Sequence, residues 1–301
     1  MGSTLLGVLR LTVYGLFTVV LMPVQAIAVV LRLPLRTALP RWYHRICTRI
    51  LGLDLEIRGT PSGVRPTLFV ANHASYLDIM VLGAIIPGSF VAKREVRDWP
   101  FFGWLARLQR TVFVDRRPSA ADAQRTEIRS RLAARENLIL FPEGTSSDGN
   151  RTLPFKSALF AAAGVTPDAV GGGKAAAGPD PAAVTVQPVS IACTALDGIP
   201  LGRWLRPVYA WYGDMDLASH IWEMVRLGRL TVVVEFHDPV APADFASRKA
   251  LAEHCRARVA DGMSRALAGR DGDPAERRER RRLRRERARA RRRARREGRA
   301  A

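Results

Sequence analysis

The hydropathy pattern first separates an apolar N-terminal segment from the rest of the chain. Residues 11–31, a run of 21, contain no charged side chain. A run of about 20 apolar residues is long enough as a helix to cross the hydrocarbon core of a bilayer. Pro23 and Gln25 interrupt it, so either a kinked membrane-spanning helix or two short helices half-sunk in one leaflet fits the pattern. The pattern predicts membrane attachment and leaves its form open.

Residues 53–270 alternate between short β-branched runs and longer amphipathic segments. The pattern predicts strands at 53–58, 67–71, 89–92, 111–114, 138–141, 185–192 and 230–236. It predicts helices at 76–86, 101–107, 120–135, 156–163 and 244–267. This order is typical of an α/β fold with a mostly parallel sheet flanked by helices. We therefore predict a membrane-anchoring segment and basic linker at 1–50, an α/β domain at 51–269, and an Arg-rich tail at 270–301 that is disordered or transiently helical.

The charge distribution favours anionic partners. Of the formal net charge of +19, residues 270–301 contribute +10, from 16 Arg against six acidic residues, and the rest of the chain contributes +9. For the tail, anionic membrane phospholipid is favoured over nucleic acid, because no aromatic platform or nucleic-acid motif accompanies the arginines. Arg10 alone precedes the apolar run, whereas the positions that follow it include Arg32, Arg36, Arg41, Arg45 and Arg49. The positive-inside bias predicts that the domain lies at the cytoplasmic face of the inner membrane.

Other classes of site find little support in the sequence. Cys47, Cys193 and Cys255 are odd in number and widely spaced, which indicates a reducing compartment and neither a disulfide framework nor a zinc site. No metal-ligand cluster is visible. GGGK at 171–174 is not a Walker A loop, because Ala175 stands where Ser or Thr is needed. We interpret residues 164–183 as a flexible insertion and expect no metal and no cofactor.

A histidine and an aspartate follow the strand at 67–71. Asn72 and His73 end the apolar run, and Asp78 comes five residues after His73. In open α/β sheets the carboxyl edge of the strands is where ligands bind. A carboxylate beside an imidazole holds one tautomer and stabilises the protonated ring. The spacing therefore indicates a general base, His73, oriented by Asp78.

Two further strands end in residues that suit an anionic ligand. Arg116 follows the strand at 111–114, and Glu143, Gly144 and Thr145 follow the strand at 138–141. A glycine in such a turn lets backbone N–H groups approach an anion, and Lys156 comes shortly after it. Taken singly, each feature is better explained by a surface salt bridge or an ordinary turn than by function. Together they predict a binding site at the edge where His73 lies.

The blocks NHASYLD, VFVDR, FPEGT and VQPVS, in this order between residues 72 and 191, resemble the glycerophospholipid acyltransferase family, in particular the 1-acyl-sn-glycerol-3-phosphate acyltransferases. The resemblance implies an acyltransferase domain at 51–269 and a donor that is acyl-CoA or acyl-carrier protein. It implies transfer to the sn-2 hydroxyl of 1-acylglycerol-3-phosphate, giving phosphatidic acid in phospholipid biosynthesis. His73 would be the base and Asp78 its partner. The acceptor phosphate would fall to Arg116, Glu143, Gly144, Thr145 and Lys156.

Two positions depart from the family pattern. Arg110 stands where the second block usually opens with glycine, and Ser146 stands where FPEGT is usually followed by arginine. Losing that arginine removes a bidentate phosphate donor. The alternative acceptor is lyso-ornithine lipid, whose headgroup carries no phosphate. Two other classes stay open: a hydrolase with Ser75 or Ser146 as nucleophile, although G-x-S-x-G is absent, and a membrane-tethered protein that binds anionic lipid or nucleic acid.

Overall fold

The computed structural model of the protein describes residues 2–115, 121–163 and 184–270, with side chains 121–125 and 162 left out. Contacts divide the chain into a unit spanning Met1–Leu267 and a second unit, Ala268–Ala301. Of the second unit only residues 268–270 are described. The predicted insertion at 164–183 and nearly all of the predicted tail at 270–301 therefore lie outside the described residues, and both stay predictions.

The first unit is built on one eight-stranded sheet. Its strands are β1 (Leu53–Arg58), β2 (Thr67–Ala71), β3 (Ser89–Lys93), β4 (Val112–Val114), β5 (Leu138–Leu140), β6 (Thr185–Leu196), β7 (Ile199–Pro200) and β8 (Leu230–Phe236). The order is β1-β8-β6-β2-β5-β3-β4, with β7 paired to β6. Only the β6–β8 and β6–β7 pairs are antiparallel among these strands. The predicted mostly parallel α/β sheet is confirmed.

The helices are α1 (Thr4–Val30), α2 (Leu35–Ile50), α3 (Leu77–Ile85), α4 (Phe102–Leu108), α5 (Ala121–Ala133), α6 (Leu217–Arg226) and α7 (Arg248–Ala268). Three differences from the predicted elements stand out. The predicted helix at 156–163 is a 3-10 helix, Ser157–Ala163. The basic segment before residue 50 forms α2, and α6 was not predicted. Both helices carry an apolar stripe opposite polar residues, so the pattern that marks an amphipathic helix was present in the sequence.

β2 lies in the middle of the sheet, and all five of its residues are buried. Its side chains alternate between the two faces, as a strand requires. Phe69 packs with Val81 and Leu82 of α3, whereas Leu68 and Val70 pack on the opposite face, in the cluster that also contains residues of α7. Burial on both faces explains why β2 is a continuous apolar run. The run ends at Ala71, and the chain leaves the sheet at Asn72.

α1 packs along its length on the domain. Arg10 donates to the carbonyls of Val225, Leu227 and Gly228, at the C-terminal end of α6 and just beyond it. Thr18 contacts Tyr43 of α2, and Gln25 donates to the Leu108 carbonyl at the end of α4. The opposite face of α1 exposes large apolar side chains, among them Leu5, Leu9, Leu16, Val20 and Val30. α1 is thus a helix with one face on protein and one apolar face open.

Candidate active site

The end of β2 places His73 at the carboxyl edge of the sheet. Past Ala71, the side chain of Asn72 accepts from the Ile191 N–H and donates to the Ile191 carbonyl, both at 2.8 Å. Asn72 therefore continues the β2–β6 pairing with its side chain where its backbone turns away. His73 Nδ1 lies 2.9 Å from Asp78 Oδ2, and the His73 side chain is 21% exposed. The structure thus brings together the two residues that the sequence predicted as base and partner.

Asp78 is completely buried, yet each of its oxygens has donors. Oδ2 accepts from the backbone N–H groups of Ala74 and Ser75, at 2.7 and 2.9 Å, besides the contact with His73. Oδ1 accepts a 2.7 Å hydrogen bond from the Tyr209 hydroxyl. A buried carboxylate is stable as an anion only when such donors replace water. With Nδ1–H of His73 directed at Asp78, Nε2 is the nitrogen left to take a proton.

Tyr209 is a part of the site that sequence reasoning missed. It is 131 residues from Asp78 in the chain, so no local spacing relates the two. Burial, together with the nearby charge of Asp78, raises the pKa of the Tyr209 hydroxyl far above 10. The hydroxyl therefore stays protonated and acts as a donor to Asp78.

We expect Tyr209→Phe to lower kcat by about tenfold, because a hydrogen bond to a charged group contributes about 1.5–3 kcal/mol and only part of this reaches the transition state. KM should stay unchanged, since Tyr209 touches Asp78 and not the substrate. Steady-state kinetics of the purified variant test this. Tyr212→Phe, in the same segment, is the matched control and should behave as wild type. A raised KM with normal kcat would show that Tyr209 acts in binding instead.

Glu143 points into the protein. Its carboxylate is buried, and its oxygens accept from the backbone N–H of Leu153 at 2.9 Å and of His73 at 3.3 Å. Both carboxylate oxygens therefore accept hydrogen bonds from the protein backbone, and one of these bonds comes from His73, the candidate catalytic histidine. Burial is the main influence on this side chain and raises its pKa to about 8, against the opposing effect of the two backbone N–H groups.

The raised pKa has a consequence for stability. Between about pH 4.5 and 8 the folded state keeps a proton on Glu143 that the unfolded state has released, so the free energy of unfolding falls as pH rises. The slope reaches at most about 1.4 kcal/mol per pH unit for one proton. Glu143→Gln should remove this slope, and Glu253→Gln, at an exposed position of α7, should not. Urea unfolding of the solubilised protein from pH 5 to 8 measures it, and equal slopes in all three proteins would contradict the assignment.

The turn after Glu143 reaches the same edge as His73. Gly144 has φ of +69°, a conformation that favours glycine, and a Cβ there would lie 2.8 Å from Lys156 Nζ. Thr145 and Lys156 are exposed, and the Ser147 N–H donates to the His73 carbonyl at 2.9 Å. Gly144, Thr145 and Lys156 are therefore grouped near His73. Arg116 lies outside the described residues, and its role stays a prediction.

The two serines considered as nucleophiles have structural contacts. Ser75 Oγ accepts from the Leu77 N–H at the start of α3, and Ser146 Oγ donates to the Trp211 carbonyl. A serine–histidine pair does occur at Ser190 and His237. Ser190 is buried, and α7 closes over the pair so tightly that a Cβ on Gly262 would overlap Ser190 Oγ. In this structure none of these serines is arranged as an accessible nucleophile.

An apolar cavity of about 150 Å³ lies beside the site, between α1, α2, α3 and α4. Its wall includes Tyr14, Met22, Met80, Phe90 and Leu105. Phe90 stacks on Phe141, with ring centroids 6.1 Å apart, and Phe141 stacks on the His73 ring at 4.1 Å. The cavity therefore borders the rings that pack against His73, and its lining suits a hydrocarbon chain.

The chain is similar to known lipid acyltransferases in sequence and in fold. A sequence model of the acyltransferase family matches residues 56–192. Lyso-ornithine lipid O-acyltransferase of Brucella abortus is 43% identical over 83% of this chain and 91% of its own, and the protein of that name from Rhizobium meliloti is 41% identical over 86% and 87%. A 1-acyl-sn-glycerol-3-phosphate acyltransferase of Neisseria gonorrhoeae is 33% identical over 70% and 76%. The solved 1-acyl-sn-glycerophosphate acyltransferase of Thermotoga maritima, 24% identical, has a similar fold, with a TM-score of 0.58 over 87% of this chain and 97% of its own.

Proposed function

Because this chain belongs to the acyltransferase family, we propose that it transfers a fatty acyl group to the free hydroxyl of a lyso-ornithine lipid. The main support for this acceptor is the similarity to the two lyso-ornithine lipid O-acyltransferases, at 41% and 43% identity over more than four fifths of the chain. The relative named for 1-acyl-sn-glycerol-3-phosphate is 33% identical over 70%. The glycerophosphate acceptor that the sequence analysis favoured is thus supported less well than its alternative.

Ser146 supports the same acceptor. The resemblance places an arginine at this position in enzymes that bind a phosphate, and here the serine hydroxyl is used in a bond to the Trp211 carbonyl. An ornithine headgroup presents a carboxylate and an ammonium group and has no need of a bidentate phosphate donor. Lys156 is exposed, and its ammonium group lies next to Gly144. We propose that Lys156 binds the headgroup carboxylate.

In the proposed mechanism His73 is the general base and Asp78 orients it. The acceptor hydroxyl gives its proton to His73 Nε2 as its oxygen attacks the thioester carbonyl carbon. The new C–O bond forms and the C–S bond breaks, and the proton on His73 passes to the leaving thiolate. Asp78 stabilises the imidazolium between these two events. The attack is direct, so no acyl-enzyme forms, and the proposed steps use no group beside the protein and the donor, acyl-CoA or acyl-carrier protein.

The membrane supplies the acceptor and holds the acyl chains. We assign one hydrocarbon chain to the cavity bordered by Phe90. α1 is long and apolar enough to cross a membrane, but Arg10, Thr18 and Gln25 fasten it to the domain along its length. A helix held in this way lies in one leaflet with its exposed apolar face in the lipid. We propose that this is the cytoplasmic leaflet, because the arginines that follow residue 31 agree with the positive-inside bias.

Expression in bacteria tests the acceptor. In a host that makes lyso-ornithine lipid and cannot acylate it, the wild-type chain should produce ornithine lipid, detected by mass spectrometry, and His73→Ala should not. In a second host with a conditional loss of 1-acylglycerol-3-phosphate acyltransferase, the chain should fail to restore growth. Growth restored in the second host without ornithine lipid in the first would overturn the proposed acceptor. No product in either host would overturn the proposed function.

A further inference from the structure

A loop after β6 exposes apolar side chains next to the active-site candidate. We call residues 197–205 the β6–α6 loop. In it Ile199 is 71% exposed, Trp204 93% and Leu205 55%. Scattered apolar residues are common on protein surfaces, but a tryptophan exposed almost completely between other exposed apolar residues marks a contact surface. Tryptophan is also the side chain most typical of the membrane–water interface.

The fold holds these side chains outward. Ile199 and Pro200 form β7, which pairs with the end of β6. Leu201 is buried, and its N–H donates to the Thr194 carbonyl at 2.8 Å. The Leu205 N–H donates to the Gly202 carbonyl at 2.9 Å. The exposure of Ile199 and Trp204 therefore belongs to an ordered part of the fold.

One end of the loop is linked to α1 close to its exposed apolar side chains. The Asp197 N–H donates to the Arg229 carbonyl, and the Arg229 N–H donates to Asp197 Oδ1, each at 2.7 Å. Gly228, the neighbour of Arg229, accepts from Arg10 of α1. Leu9 and Val13, on either side of Arg10 in the helix, are 57% and 41% exposed. The loop is thus linked through residues 228 and 229 to the part of α1 where exposed apolar side chains flank Arg10.

The other end of the loop borders the active-site candidate. Arg206, directly after Leu205, donates to the Asn150 side chain at 3.4 Å. A Cβ on Gly149 would lie 3.8 Å from both the Arg206 carbonyl and Ala74 Cβ, and Ala74 follows His73. The loop therefore reaches from α1 to the turn beside His73.

We infer that the β6–α6 loop is a second membrane contact, which inserts Ile199, Trp204 and Leu205 into the interface of an anionic bilayer. A bilayer fits this surface because the loop is linked to α1 through residues 228 and 229, and because the exposed Arg203 and Arg229 suit anionic headgroups. Contact at both α1 and this loop sets the site against the leaflet, so that a lipid acceptor reaches His73 from the bilayer. The inference rests on the proposed membrane association and is independent of the acceptor headgroup.

A fluorescent label on the loop tests this contact. The three native cysteines are buried, so Trp204→Cys supplies one exposed thiol for the environment-sensitive dye NBD. Glu253→Cys, exposed on α7, is the control, and the labelled wild type measures background. With phosphatidylglycerol–phosphatidylethanolamine vesicles, the emission at position 204 should rise severalfold and shift to the blue, while that at position 253 stays constant.

Other results overturn the inference in recognisable ways. If the protein sediments with vesicles and the label at position 204 still reports water, the loop is not a contact. If the protein does not sediment with vesicles, the membrane association itself is wrong. A blue shift that grows with protein concentration in the absence of vesicles would assign the loop to a second copy of the chain.

A kinetic variant tests the consequence without any label. Trp204→Ala should lower turnover of a long-chain acceptor in vesicles by about three- to tenfold, because fewer molecules hold the site against the leaflet. Turnover of a short-chain, monomeric acceptor should be unchanged, since the role we give Trp204 is to hold the membrane and not to take part in the proton transfer. An equal loss with both acceptors would contradict a role at the membrane.

Discussion

Replacing His73 with alanine is expected to lower kcat for acyl transfer by about 10²- to 10⁴-fold, the usual contribution of a positioned general base. His73 is 21% exposed at the carboxyl edge of β2, and its Nδ1 is held by Asp78, so its other nitrogen is the one available to the acceptor hydroxyl. Without the imidazole the hydroxyl must attack while still protonated. Acyl transfer by the purified, detergent-solubilised variant, measured at saturating donor and acceptor, gives the loss in kcat directly.

The control for this variant is another histidine. His254, on α7, packs against Phe245 with the rings tilted and their centroids 5.1 Å apart, and it lies in the half of the structure that covers the opposite face of the sheet. His254→Ala should keep activity within about twofold, as surface changes away from a site usually do. His73→Ala with more than half of the wild-type activity, in a protein that still binds vesicles, would remove His73 from the mechanism.

Asp78→Asn is expected to have the second large effect. Asp78 Oδ2 accepts from His73 and from two backbone N–H groups, and Oδ1 accepts from the Tyr209 hydroxyl. An asparagine has one oxygen and one NH₂ group, so its NH₂ group faces either the donors at the Oδ2 position or the Tyr209 hydroxyl. In either orientation at least one donor loses its charged acceptor. The imidazole then loses the partner that fixes its tautomer and stabilises its charge. A loss of about 10³- to 10⁴-fold in kcat is the scale for this change in an oriented histidine.

The same substitution should also weaken the fold. One buried donor without an acceptor costs about 1–3 kcal/mol of the free energy of unfolding, measurable by urea unfolding alongside the kinetics. Asp244→Asn, at an exposed position, should change neither quantity. An Asp78→Asn enzyme with normal kcat and lowered stability would make Asp78 a structural residue only.

Local pattern was enough to predict much of this fold. Strands β1, β2 and β8 were predicted at their observed bounds, because apolar, β-branched runs bounded by turn residues are local signals. The pairing of His73 with Asp78 was predictable for a similar reason. The two residues are five positions apart across a strand-to-helix junction, a separation at which the backbone itself brings them together.

The features that were not predicted depend on contacts between distant segments. Tyr209 reaches Asp78 only because the segment before α6 folds over α3, which no pattern within a window of residues can indicate. Glu143 was predicted to bind the acceptor phosphate, but its carboxylate is turned toward the backbone of His73 and Leu153. That orientation follows from the path of residues 144–153. The role of Glu143 in binding stays a prediction, and the structure supports positioning of His73 as the simpler explanation.

Motifs alone do not distinguish well between the two candidate acceptor headgroups. The four sequence blocks describe the chemistry of acyl transfer, which both kinds of relative carry out by name. Ser146 was the one departure that pointed to a headgroup without phosphate, and a single missing arginine is a weak signal when Lys156 lies close by. The lyso-ornithine lipid relatives are more similar to this chain and over a longer stretch of it. This similarity over most of the chain supports the acceptor, which a local motif does not identify.

The most direct test is a competition between acceptors in one reaction. Purified wild-type protein receives labelled acyl-CoA or acyl-carrier protein with equimolar lyso-ornithine lipid and 1-acylglycerol-3-phosphate in mixed micelles, and the two products are counted over time. Ornithine lipid should exceed phosphatidic acid by roughly tenfold or more, since a lost charged hydrogen bond to phosphate corresponds to at least about 1.5 kcal/mol. His73→Ala should form neither product above background. Phosphatidic acid as the main product would contradict the proposed acceptor.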